Sequence, residues 1–422
     1  MPAGFQSDDN VMSLHVLEKL QRTNPRCEIW WDSSPLLYEH WAAGMVREAP
    51  SAQKDLRRRQ LRRLFDPHHP ESMLFRGVTT NPPLNHRVIK EQPGEWAAYV
   101  REMIRTHPGL SVDEAFRLMY KEIIRRGAAM ILPLWHESNH RYGYICGQLD
   151  PRLAFDYDRM LEQALEIAAL APNVLVKCPG SREGYRLIEE LTARGIGTNN
   201  TTSFCVPQYL ACMEAVSRGL ARARANRVDP GRWRSVITHM SDRFGSLGHL
   251  HEQARDCGLQ LTESDIRWAE VAIFKRAYHW GRRHNHPSKM LMCSMRMGPE
   301  LGDGYQATWH MEKVAGADIV FTCPPAYIRR LMHAEDRLRE FNPSAIDEPV
   351  PEEVLAKLMK LPYFVQSYEY DGMSEEEFGR YASFVGTASE FSHAIEAMID
   401  FTARQFEASG RPRVKHPRPS VP

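Results

Sequence analysis

Eight short β-like runs alternate with longer stretches of helical periodicity, and this alternation constrains the fold more than any other feature of the chain. The runs span 29–31, 74–78, 144–146, 174–177, 197–201, 235–238, 290–293 and 319–322. Helical patterns fall at 96–105, 112–126, 156–170, 183–194, 207–226 and 263–280. A run apolar on both faces followed by an amphipathic helix is what a parallel strand and its crossover look like. Eight such units predict an α/β fold, a (β/α)8 TIM barrel. An open doubly wound sheet would carry a Gly-rich phosphate turn after an early strand, and none is present.

A minimal barrel needs about 250 residues, and the chain has 422. The excess is read as helical insertions. Residues 1–27 are expected to be an N-terminal extension, and 28–335 the barrel, with insertions near 38–70 and 222–266. Residues 336–405 are expected to hold a C-terminal insertion and a closing helix, and 406–422 a disordered tail rich in Pro and Arg. Both ends read as poorly ordered. Residues 331–374, with clusters of Pro, Asp and Glu, read as a surface insertion.

The net charge is +1, which gives no reason to expect nucleic acid or an anionic membrane as partner. The eight cysteines include no CxxC pair and lie largely in apolar runs, a pattern of reduced thiols in a cytoplasmic protein. No apolar stretch approaches the roughly 20 residues of a membrane span, and residues 1–10 lack a signal-peptide core. His136-Glu137-Ser138-Asn139-His140 spells HExxH, which binds zinc when it lies on a helix. Between Pro133 and Gly143 it is expected in a strand-entry loop, without a third ligand, so neither metal nor other cofactor is assigned.

Only eleven lysines stand against forty-three arginines, and Lys177 alone closes an apolar strand, in Asn173-Val174-Leu175-Val176-Lys177-Cys178-Pro179. The carboxyl ends of barrel strands are where active sites form. A sheltered lysine there can present its amine to a carbonyl.

Gly77-Val78-Thr79-Thr80-Asn81-Pro82 precedes this strand, and Gly197-Thr198-Asn199-Asn200-Thr201 follows it. With Trp31-Asp32-Ser33 and Ser294-Met295-Arg296, these motifs resemble the transaldolase family in kind and order, over roughly residues 28–335. The long form of that family is the nearest likeness, through 209–232.

The resemblance implies an imine on Lys177 and a sugar-phosphate substrate. It makes Asp32 the proton handler for the departing aldehyde. It places Asn81 and Thr201 on the three-carbon fragment, with Asn199 supporting them, and puts Thr238, where a serine is usual, among the substrate-binding residues. Arg243, Ser294 and Arg296 would take phosphate, whose oxygens suit guanidinium forks. A homodimer is open to such a chain.

The chain departs from the family where a glutamate usually stands on the third strand: the residue is Gln148. Glutamine orients a water but cannot shuttle a proton. Related aldolases with glutamine here use a tyrosine on strand six, which is Met240 in this chain. The leading expectation is dihydroxyacetone transfer from a ketose phosphate to an aldehyde. A reversible aldolase or cyclase with the same imine chemistry, and a non-catalytic sugar-phosphate-binding homologue, are the alternatives.

Overall fold

The computed structural model describes residues 15–302, 305–334, 338 and 340–411. Eight parallel strands close into a barrel: β1 (Glu28–Trp31), β2 (Phe75–Val78), β3 (Tyr144–Gln148), β4 (Val174–Pro179), β5 (Thr198–Thr201), β6 (Ser235–Met240), β7 (Lys289–Cys293) and β8 (Val320–Cys323). Each strand pairs with its neighbour in sequence, and β8 closes the ring on β1, Glu28 opposite Val320 and Trp31 opposite Cys323. Every residue of these eight strands is buried except Arg76 and Lys289, which is why most of them read as apolar runs without alternation; β5 is the exception and buries four polar side chains. Gly77 is dictated by packing: it lies opposite Trp30, and a Cβ there would come within 2.4 Å of the indole.

Helices connect the strands as the periodicity implied. The Val112–Glu137 helix starts at a capping box between Ser111 and Glu114, and the Glu263–Arg283 helix at one between Thr262 and Asp265. Residues 38–70 form two helices, Tyr38–Glu48 and Lys54–Leu64. No helix among the described residues is long and apolar enough to cross a membrane.

Three expectations need correction. The Val112–Glu137 helix runs through Pro133, so His136 and Glu137 form its last turn rather than a loop. His140 lies beyond it with φ +66° and its ring 3.8 Å from that of Trp135, so the two histidines do not share a helical face. The N-terminal stretch is ordered from His15, where the Val16–Arg22 helix buries Leu17 and Leu20; residues 1–14 lie outside the described residues. The final helix, Ala382–Ala408, carries buried Phe406 past the expected start of the tail, whose residues 412–422 lie outside the described residues.

The segment 331–374 is riveted down rather than merely laid on the surface. Lys275 Nζ donates to the carbonyls of Ala345 and Glu348, both at 2.6 Å. Arg276 lies over the rings of Tyr368 and Tyr370, at 4.3 and 4.2 Å. Tyr363 stacks on Phe244 and on Tyr381, 4.7 Å between the tyrosine rings, and so ties the insertion to the last helix.

Candidate active site

The strand register sets three polar side chains level at the carboxyl end of the barrel: Lys177 pairs with Gln148 on one side and Asn199 on the other. Lys177 is only 4% exposed, and its Nζ donates to the carbonyl of Thr80 at 3.1 Å. Among the described residues it forms no ion pair within 4 Å, whereas Lys289 contacts two carboxylates. Lys177, Gln148 and Thr201 line one cavity with Asp150, Phe384 and Ala388. Its volume is about 10 Å³, close to the least space that holds one water.

Asp32 follows β1, and its Oδ1 accepts a 2.6 Å hydrogen bond from Thr79, whose hydroxyl also meets that of Thr322 at 2.5 Å. Burial raises the Asp32 carboxyl above the usual carboxylate range, against the Thr79 hydroxyl and the charges of Lys177 and Arg243.

Gln148 is buried with no partner for its Oε1 among the described residues, while its backbone carbonyl accepts from Tyr120 at 3.0 Å. Asn81 caps the Pro82–Glu91 helix, its Oδ1 accepting from the Leu84 N–H, so its oxygen is committed to the fold. Thr201 is buried, its hydroxyl 4.0 Å from the sulfur of Met240. Thr238 donates to Asn199 Oδ1 at 2.7 Å, and Asn199 in turn donates to the Cys146 sulfur. Thr238 therefore spends its proton inside the barrel wall.

The two arginines are both occupied by carboxylates. Arg243, on the Ser241–Leu247 helix, forms a fork with Glu390 of the last helix at 2.6 and 2.9 Å. Arg296 contacts Asp242 and reaches Glu270 at 3.3 Å. Glu270 is fully buried and also receives His310 at 2.6 Å and Arg267 at 2.9 Å. Burial pushes the Glu270 carboxyl up, but His310, Arg267 and Arg296 together hold it below its ordinary range. Asp242 goes the other way, raised by burial against the pull of Arg296. Ser294 sits just past β7 with φ +55° and its hydroxyl 3.6 Å from the Cys293 sulfur. His239 points into the core, bonded to Tyr209 and to the Glu270 carbonyl, its pKa lowered to about 3 by burial.

Sequence reasoning assigned no role to Thr79, Thr80, Glu270 or Glu390. The two threonines lie inside the motif at 77–82, so their signal was available. Glu390 gave none, being one acidic residue on an amphipathic helix.

The sequence model of the transaldolase/fructose-6-phosphate aldolase family matches residues 58–377. The chain belongs to that family. Among its curated relatives, transaldolase 1 of Streptomyces avermitilis is 33% identical over 172 residues, 40% of this chain and 45% of that protein. The transaldolase of Thiobacillus denitrificans is 30% identical over 205 residues, 48% of this chain and 55% of that protein. The chain thus spans about half the length of the curated relatives it matches. Asp32 and Glu390 both lie outside the stretch that the family model covers.

Proposed function

We infer that the chain forms an imine between Lys177 and the keto carbon of a ketose phosphate, then transfers the dihydroxyacetone unit to an aldehyde acceptor. The observation that carries this reading is the setting of Lys177: buried at the carboxyl end of β4, with a neutral carbonyl as hydrogen-bond partner and no ion pair among the described residues. Lys275, equally buried, is spent on two carbonyls that rivet a neighbouring segment, whereas Lys177 holds one and faces the cavity it shares with Gln148 and Thr201.

In this reading, attack by the amine and loss of water give a protonated imine, which draws electrons from the adjacent carbon–carbon bond. Asp32 takes the proton from the hydroxyl of the leaving aldehyde as that bond breaks, and returns it when the acceptor aldehyde is joined. Its raised affinity for a proton suits it to both directions. Gln148 and Thr201, on the Lys177 cavity, would orient the water released as the imine forms and consumed as it is hydrolysed.

Borohydride trapping with fructose 6-phosphate or sedoheptulose 7-phosphate, read by intact mass and peptide mapping, tests the imine. A reduced adduct on Lys177 is expected. Absence of an adduct from both sugars, in folded protein, would overturn the donor assignment. Gln148 favours a second reading, a reversible aldolase, because no carboxylate stands at its position to manage protons during transfer. Release of free dihydroxyacetone without an acceptor would identify that activity. The reading takes the protein as cytoplasmic and as a homodimer, the latter tested by light scattering.

A further inference from the structure

The anion-binding end of the site holds two arginines, and their carboxylate partners differ in one decisive respect. Glu270, behind Arg296, is fully buried and fixed by His310 and Arg267. It cannot leave without stranding charges in the interior. Glu390, on Arg243, has a side chain 53% exposed and lies on the outer helix, so it can swing into water. Arg243 itself is 20% exposed, its guanidinium 5.2 Å over the ring of Phe391. Phe384 and Ala388, on the same helix as Glu390, line the Lys177 cavity. The same helix thus carries both cavity-lining residues and the carboxylate that holds the fork.

We propose that Glu390 is an internal occupant of the Arg243 anion fork, which a substrate's phosphate must displace, and that it thereby sets the selectivity of the site for phosphorylated over neutral sugars. This deepens the proposed function by naming how the phosphate end is read. A carboxylate and a phosphate both match the guanidinium fork, so the two compete for the same donors. An exposed fork of this kind shifts an equilibrium by up to about five-fold. The dianion prevails at saturating substrate, while neutral sugars leave the Glu390 fork closed.

The test measures binding of inorganic phosphate by calorimetry to the full chain and to Glu390→Gln. The variant keeps the side-chain shape and removes the charge. Phosphate is expected to bind about five-fold more tightly to Glu390→Gln, and the gain is expected to vanish when Arg243→Gln is added. Glu396→Gln, an exposed position on the same helix, is expected to leave the affinity unchanged. Equal affinity in wild type and Glu390→Gln, binding by neither, a gain that survives loss of Arg243, or an equal gain in Glu396→Gln would each overturn the proposal. None of these results depends on Lys177, whose chemistry the trapping experiment judges separately.

Discussion

Glu28 and Asp32 stand at the two ends of β1, both with enclosed carboxyls, and their surroundings move them in opposite directions. At the floor of the barrel, Glu28 receives Arg234 on both oxygens at 2.7 and 2.8 Å and Lys289 at 2.7 Å. Burial pushes its carboxyl up, but these cations more than reverse the shift and hold it below the ordinary range. At the rim, Asp32 has one hydroxyl and more distant charges, so burial wins and its affinity for a proton rises. The floor neutralises its charge completely and gains rigidity. The rim leaves its charge undercompensated, the condition under which a carboxylate can exchange protons with a ligand.

Substitutions at each end test this division, beginning with the largest effect. Lys177→Ala is expected to abolish borohydride trapping and turnover while leaving the urea unfolding midpoint near that of wild type. A large loss of stability would make Lys177 a floor-like residue. Asp32→Asn is expected to lower turnover by about 10²–10⁴-fold, the usual worth of general acid–base catalysis. At neutral pH it should be at least as stable as wild type, because a raised folded pKa means that ionising Asp32 costs the fold stability.

Glu28→Gln should give the reverse pattern: about 3 kcal/mol less stable, since two cations lose their buried partner, with turnover per folded molecule unchanged. The sign with pH follows. The contribution of Glu28 is present above the ordinary carboxylate pKa and is lost as pH falls through its depressed folded value, so Glu28→Gln should show a shallower loss of stability in acid. The smallest effect belongs to Thr79→Val. The Thr79 hydroxyl donates to Asp32 and favours its charged form, so its removal should move the acid limb of the rate profile to higher pH. A shift toward lower pH would remove Asp32 from the proton-handling role.

Most of the strands were legible because a strand buried on both faces calls for an apolar run, with β5 (Thr198-Asn199-Asn200-Thr201) the polar exception, and each run sits within two residues of the strand observed. Lys177 was legible for the same reason, as a charge that interrupts such a run at its end. Pro133 is deceptive because proline commonly marks a helix boundary, although long helices tolerate one when neighbours hold both sides. The partners of the charged groups were not legible at all. Glu28 meets Arg234 across 206 residues and Arg243 meets Glu390 across 147. Such pairings are fixed by which strand and helix ends the ring brings together, a three-dimensional fact with no local periodicity. The same holds for Glu270 and His310, which meet across 40 residues.

The ring closes by pairing β1 with β8, strands whose partner residues Glu28 and Val320 are far apart in the chain. During synthesis the first strand leaves the ribosome long before its mate exists, and waits with one backbone edge unsatisfied. Until about three quarters of the chain has emerged, the nascent sheet therefore carries two open parallel edges, a state prone to mispairing. Products that stop short of Val320 should be the natural clients of chaperones and proteases. Chains that reach it can seal both edges in a single step.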